Sequence, residues 1–287
     1  MQGLLRIAYW LCVASVVNIT MMPRYGLADD IQRTLNWAIN TAPPFHIVQG
    51  AYQDQGICDA LMHAVEDTLP NYQTSRTLMP QTRIGVMFER DTNQCFPCMI
   101  YRPYDAQQRT VLSAPTHRYQ PHGIIALPRV AARMREQFGD PVPLHLLLES
   151  NDFRFGQPAG RQYGALQPLL NLHEGTSSYR VLRTGEYATV AILDMILAGR
   201  IDYTLDYHTL VRYHQRTGQG ELEFVEVAET QGQQVLGAIG CTNNAWGRDM
   251  IATINQNIDE IRQHPTFLQS LGLWFDSPAA VAAGEQL

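Results

Sequence analysis

The side chains best equipped for recognition in this chain are arginines and tyrosines. All 21 basic residues are arginine, and no lysine occurs. A guanidinium fork suits carboxylates and phosphates, whereas the missing lysine excludes a Schiff-base nucleophile and a GxxxxGK[ST] phosphate loop. Gly160-Arg161-Gln162-Tyr163 reads as a glycine turn opening a helix over 161–172. Unpaired backbone N–H groups and Arg161 would meet an anion there. A solvated arginine on a first helical turn is the plainer alternative.

Other reactive residue types are scattered. Gly175-Thr176-Ser177-Ser178 lacks the Gly-x-Ser-x-Gly pattern of a nucleophile elbow and reads as a solvent loop. His117 and His122, or His208 and His214, are five and six apart, not the i, i+4 spacing of a helical metal pair. No metal and no cofactor are expected. An acid–base enzyme would draw on His117, His122, His173, His208 or His214. His208, directly after Asp206-Tyr207, is the best placed of these, with a surface role as its alternative.

Residues 1–28 read as a cleaved secretory signal. Arg6 gives the positive start, Ile7 to Met22 an apolar run broken by Ser15, Asn18 and Thr20, and Gly26-Leu27-Ala28 small residues before Asp29. An N-terminal anchor is the alternative, but the run is short for a span. Cys12 leaves with the leader, so Cys58, Cys95, Cys98 and Cys241 remain. In an oxidising compartment a bridge from Cys58 to Cys95 or Cys98 is expected, with free buried thiols as the alternative. Cys95-Phe-Pro-Cys98 lacks the surroundings of a redox dithiol. A formal charge of −6, more negative still without Arg6 and Arg24, and no basic run argue against nucleic acid. With 45% hydrophobic and 17% charged residues the chain is a folded globular one.

The elements that must position these groups alternate between strand and helix. Leu35 to Ile39 reads as a strand stopped by Pro43-Pro44. Ile57, Leu61, Val65 and Leu69 recur at helical spacing before Pro70, then a strand is expected over 72–78, a helix over 83–90 and a strand over 95–101. A second series follows: strands near 123–127, 153–156, 179–183, 201–205, 224–227 and 235–239, with helices over 129–138, 161–172 and 187–198. One amphipathic helix is expected from Met250 to Ile261 and a short one over 267–271, before a loose tail from 277. This order predicts α/β architecture with parallel sheets and a ligand cleft outside the strand ends.

In this order the segments resemble the family 3 extracellular solute-binding proteins, the amino-acid-binding type of two-lobed periplasmic binding proteins (type II fold). The likeness is to a poorly characterised branch and runs over roughly residues 35–275. Its marks are Ala42-Pro43-Pro44-Phe45 after the first strand and Leu112-Ser113-Ala114-Pro115, similar to a Phe-Ser-x-Pro-Tyr element. Phe155-Gly156-Gln157-Pro158-Ala159-Gly160, Gly199-Arg200-Ile201-Asp202-Tyr203, and Trp246-Gly247 with Ile251 and Ile254-Asn255 complete the series. The resemblance implies lobes that are mainly parallel sheets flanked by helices, with a cleft between them. It makes lobe one discontinuous, 29–122 plus 231–287, with lobe two at 123–230 and hinge crossings near 121–123 and 230–234.

The resemblance also implies a periplasmic monomer that closes on an amino acid or related small acid for an ABC transporter or a membrane sensor. A periplasmic dehydratase or lyase on the same scaffold is the alternative. Phe45 and Tyr52 would form an aromatic wall, Phe45 otherwise packing into lobe one, and the Arg161 turn would face the cleft. Two departures from the family pattern bear on the ligand. The carboxylate-binding arginine expected seven residues before Ser113 is Ala106, with Arg102 and Arg109 flanking it as substitutes. The amine-binding acid expected five residues after Asp202 is Tyr207; Asp206 lies one place early, where a strand side chain faces the other way. Tyr101, Arg102, Tyr104, Tyr163 and Tyr207 remain as cleft candidates, suited to one acidic group on a flat or apolar body, or as plain packing.

Overall fold

A computed structural model describes residues 33–102, 109–174, 180–218 and 220–275. The expected leader, Tyr104, Ala106, the 175–179 stretch and the tail from 277 lie outside them.

The first sheet is built on β1 (Arg33–Ile39), whose Leu35, Trp37 and Ala38 are buried. It is followed by α1 (Ile57–Thr68), β2 (Tyr72–Leu78), α2 (Gln81–Met87), β3 (Cys95–Ile100), β4 (Thr110–Leu112) and β5 (His117–Tyr119). β1 pairs parallel with β2 and β3, the right geometry for strands joined through a helix. On α1 the expected stripe of Ile57, Leu61 and Val65 is fully buried.

The chain then enters a second sheet with β6 (Gly123–Ala126), α3 (Pro128–Phe138), α4 (Leu144–Ser150), β7 (Phe155–Pro158) and α5 (Gln167–Leu172). Next come β8 (Arg180–Arg183), α6 (Ala188–Leu197), β9 (Tyr203–Asp206), α7 (His208–Thr217) and β10 (Glu223–Val225). Strand order is β10-β6-β9-β7-β8. All four residues of β6 are buried, as a strand covered on both faces requires. β11 (Val235–Thr242) returns to the first sheet, ordered β2-β1-β3-β11-β4, with β5 also on β11. α8 (Ala245–Gln256), α9 (Ile258–Gln263) and α10 (Pro265–Trp274) close the chain.

The expected parallel cores are present, β2-β1-β3 in one sheet and β9-β7-β8 in the other. Strands that carry the chain between sheets join them antiparallel: β11 against β3, β4 and β5, and β6 against β9 and β10. Three expectations need correction. The helix over 161–172 starts only at Gly164, as a 3-10 turn running into α5, so Arg161 is not on a helical first turn. The helix from Met250 to Ile261 is two, α8 and α9, broken at Asn257. α4 and α7 were not expected, although α4 buries Leu144, Leu147 and Leu148 at helical spacing and α7 buries Leu210, Val211 and His214; at seven and ten residues both are short.

Cys58 pairs with Cys98, one of the two partners expected, and fastens α1 to β3. Cys95 pairs with Cys241, directly opposite it on β11. At the start of α8, Asn244 Oδ1 accepts the Gly247 N–H at 2.8 Å, and a Cβ on Gly247 would lie 1.9 Å from the Thr242 carbonyl oxygen. Asn244 is thus the cap of α8, and the closeness of the Thr242 carbonyl admits only glycine at 247, beside Trp246. Among the described residues no helix is long and apolar enough to cross a membrane.

Candidate functional site

A cavity of about 540 Å³ lies where the two sheets meet. Its wall comes mostly from the first sheet and its loops, including Asn40, Phe45, Gln81, Ile84, Phe96, Met99, Arg102, Arg109, Leu112 and Tyr119. Gly160, Arg161, Gln162 and Tyr207 close it from the second. The approach is tight at Gly160, which adopts φ +78° in the turn after β7 and whose Cβ would stand 2.9 Å from Thr82 Cγ2 on α2. A larger residue at 160 would strain the backbone and push the two walls apart.

That turn delivers Arg161. Its Nη2 donates to Asp206 Oδ1 at 2.5 Å, and its guanidinium lies 5.6 Å from the centre of the Tyr207 ring. Burial opposes its charge, but Asp206 and the surrounding tyrosines raise its pKa further. Asp206 ends β9 and also accepts the backbone N–H of Tyr207 at 2.8 Å. Burial raises this carboxyl above the ordinary value, with Arg161 and the Tyr207 N–H pulling against it. Arg161 lines the cavity whereas Asp206 does not, so the cation faces the ligand space and the acid stands behind it.

Tyr207 anchors an aromatic cluster across the junction. It stacks on His122 at 3.8 Å, and meets Tyr119 edge-on at 4.8 Å and Phe45 at 5.3 Å. The Tyr119 and Tyr207 hydroxyls are hydrogen-bonded, and burial pushes Tyr119 up to about 12. His117 stacks on Tyr119 at 5.3 Å. Burial lowers His117 to about 4, and burial together with Arg161 holds His122 well below the ordinary imidazole value. Both rings are therefore neutral near pH 7.

A second polar device stands behind the first-sheet wall. His46 Nδ1 meets Asp59 Oδ1 at 2.8 Å, while Asp59 Oδ2 accepts the N–H groups of Ile47 and Gly56 at 2.9 and 3.1 Å. Burial acts to raise Asp59, but these contacts outweigh it and the carboxyl is lowered. His46 borders the cavity and its Nε2 has no hydrogen-bond partner.

Of the residues singled out from sequence, Phe45, Arg102, Arg109, Arg161 and Tyr207 border this cavity. Arg109 pairs with Glu89 at 2.5 Å, both about half exposed. Tyr52 stands apart, edge-on to Trp274 of α10 at 5.2 Å. Tyr101 extends the β3 ladder, donating its N–H to Leu236. Tyr163 is buried in the second-sheet core, its ring 5.2 Å from His122 and its hydroxyl unpartnered. His208 opens α7 beside Phe224, away from the cavity. Sequence reasoning missed His46, Asp59 and Tyr119. For Asp59 a signal existed, an acid three residues after the Gly56 cap position; for the other two there was none. Among the described residues no three His, Cys, Asp or Glu side chains converge as a metal site.

No family model matches the sequence, and no curated protein matches it. Solved structures do. A substrate-binding protein of an ABC uptake transporter from Streptococcus pneumoniae with bound histidine is 12% identical, with a TM-score of 0.62 over 86% of this chain and 94% of its own. A structure from work on glutathione import through GshT and the cystine ABC importer TcyBC of Streptococcus mutans gives 0.63 at 11% identity, over 85% and 95%. An ancestral amino acid-binding protein, a precursor of cyclohexadienyl dehydratase, gives 0.59 at 14%, over 84% and 95%. The fold is that of the two-lobed substrate-binding proteins.

Proposed function

We propose that this chain is a solute-binding receptor. It closes on a small polar metabolite, an amino acid or a related small acid, and presents the closed form to the permease of an ABC transporter or to a membrane sensor. The observation that carries this reading is the cavity at the junction of the sheets, faced by Arg161 and Tyr207 from one side and by Phe45 and Tyr119 from the other. The fold likeness to proteins that bind histidine, arginine or glutamine supports it.

In this reading lobe one is 29–122 with 231–287 and lobe two is 123–230, joined by crossings near 121–123 and 230–234. Residues 1–28 are an export signal and the mature protein works in the periplasm as a monomer. No chemical step is needed: a ligand that touches both walls favours closure by its differential affinity for the closed form. One observation favours a second reading, a dehydratase- or lyase-like enzyme: His46, oriented by Asp59, borders the cavity with Nε2 unpartnered.

A thermal-shift screen of the mature chain, refolded free of carried-over ligand, tests the receptor reading. The panel holds the common amino acids, aromatic and aliphatic acids, polyamines and short peptides. A ligand at a hundredfold over its Kd is expected to add about 2.7 kcal/mol and raise the midpoint by a few degrees. A panel with no shift sinks the receptor reading. Consumption of the stabilising ligand would transfer it to the enzyme.

A further inference from the structure

The two disulfides differ in what a solute can reach. Cys95 and Cys241 are both fully buried, paired across β3 and β11 inside the first-sheet core. Cys58 and Cys98 border the cavity, so their bond is part of its wall. Within that bond exposure is uneven: Cys58 is buried on α1, whereas Cys98 on β3 is half-buried.

The CxxC spacing of Cys95 and Cys98 does not make one dithiol here. Both lie on β3, and residues three apart on a strand stand about 10 Å from each other, beyond the roughly 7 Å that a disulfide can span. Cys95 therefore cannot bond to Cys98 while the strand stands. For a thiol arriving in the cavity, Cys98 is the open side of the other bond and Cys58 the leaving group. Cys58 is the second residue of the 12-residue α1, where the positive end of the helix dipole favours a thiolate. The adjacent Asp59 opposes this, but His46 and the N–H groups of Ile47 and Gly56 already meet its charge.

We infer that the Cys58–Cys98 bond is a thiol-exchange site opening on the cavity, and that Cys98 accepts a low-molecular-weight thiol. The small thiolate attacks Cys98 Sγ and forms a mixed disulfide there, while the Cys58–Cys98 bond breaks with its electron pair leaving on Cys58 Sγ. A second small thiolate attacks the first one's sulfur, releases the small disulfide and leaves Cys98 reduced. The adduct on Cys98 stands in the space proposed for the ligand. At the same time the first turn of α1, whose Ile57 and Cys58 N–H groups hold the Pro44 and Phe45 carbonyls, loses its tie to β3. This chemistry requires the cavity, not a receptor role.

Reduced glutathione is the probe. The folded, oxidised mature chain is incubated with it at mildly alkaline pH without denaturant, quenched with acid, alkylated and mapped by mass spectrometry. At early times glutathione is expected on Cys98 and the alkyl group on Cys58, with this bond opening about tenfold faster or more than Cys95–Cys241. The same chain in urea should lose that selectivity. Both bonds opening together in the folded chain, or neither opening, overturns the inference, as does glutathione on Cys58 with Cys98 alkylated. A second arm compares β-mercaptoethanol with a protein thiol too large to enter the cavity. The small thiol is expected to keep a far larger share of its rate on the urea-unfolded chain; equal shares would show that opening does not run through the cavity and would overturn the inference independently.

Discussion

Asp59 and Asp206 are both buried acids standing just behind the cavity wall, one on each side, and they are held in opposite ways. Asp59 accepts from two backbone N–H groups and from His46, and these contacts outweigh the cost of burial, so its carboxyl lies below the ordinary value. Asp206 has one backbone donor and the Arg161 guanidinium, burial prevails, and its carboxyl is raised. Backbone donors fixed by a helix start and a loop need no side chain to be ordered on their behalf. Asp59 is therefore part of the fold, fastening the loop after β1 to the first turn of α1. Asp206 depends on one backbone donor and on one side chain, that of Arg161, which a turn delivers to the cavity wall.

The contrast breaks most visibly at Arg161. Arg161→Ala leaves Asp206 buried with a single donor, and a loss of about 3–5 kcal/mol in urea unfolding is expected. Arg161→Leu combined with Asp206→Leu should recover most of it. An equal loss in the double variant would mean that the packing of the arginine, not its charge, holds the turn.

Acid sharpens the contrast once His117 is removed from it. The folded pKa of His117, about 4, is below its unfolded value, so unfolding takes up a proton between pH 6.5 and 4. Stability should fall by about 3 kcal/mol as pH drops through that window, and His117→Phe should flatten the fall in denaturation curves at pH 7 and 5. An unchanged slope would assign the acid sensitivity to His122, whose pKa is shifted in the same direction.

In that background the two acids should show opposite signs. Asp59 has a depressed folded pKa, so its contribution is present above the unfolded value near 3.8 and disappears as pH falls through the folded one. Asp59→Asn is expected to cost about 2 kcal/mol at pH 7 and progressively less below pH 4. Asp206 has a raised folded pKa, so the wild type loses stability as pH climbs from 3.8 through it. Asp206→Asn should therefore gain on the wild type over that climb. Parallel pH profiles for the two variants would erase the distinction.

Much of this architecture was legible because its signals are local. The 3.6-residue recurrence of Ile57, Leu61 and Val65 fixed α1, and the apolar run from Gly123 to Ala126 fixed a strand covered on both faces. Asp206 was a ligand-binding candidate from sequence, one place before the position expected for an amine-binding acid, and in the structure Tyr207 rather than Asp206 lines the cavity. What was hidden depends on chain reversal. His46 reaches Asp59 because the backbone folds back at the Ala42–His46 bridge, which no periodicity announces. Tyr52 looked like a wall residue, but its partner is Trp274, supplied by the last helix of the chain. The leucines of 166–172 did spell a helix, and their spacing said nothing about the three residues before Gly164, where Arg161 sits.

The two disulfides set a timetable for making the molecule. Cys58 and Cys98 are 40 residues apart, whereas Cys95 waits for a partner 146 residues downstream. During synthesis three of these thiols emerge together, and the fourth arrives only after the whole second sheet has been made. Rapid oxidation in that interval joins Cys95 to a neighbour and leaves Cys241 on β11 without its mate. Slow or reversible oxidation lets β11 settle beside β3 before the last bond closes. Wherever the chain is oxidised as it emerges, an isomerase that reopens early bonds is expected to raise the share of correctly paired protein.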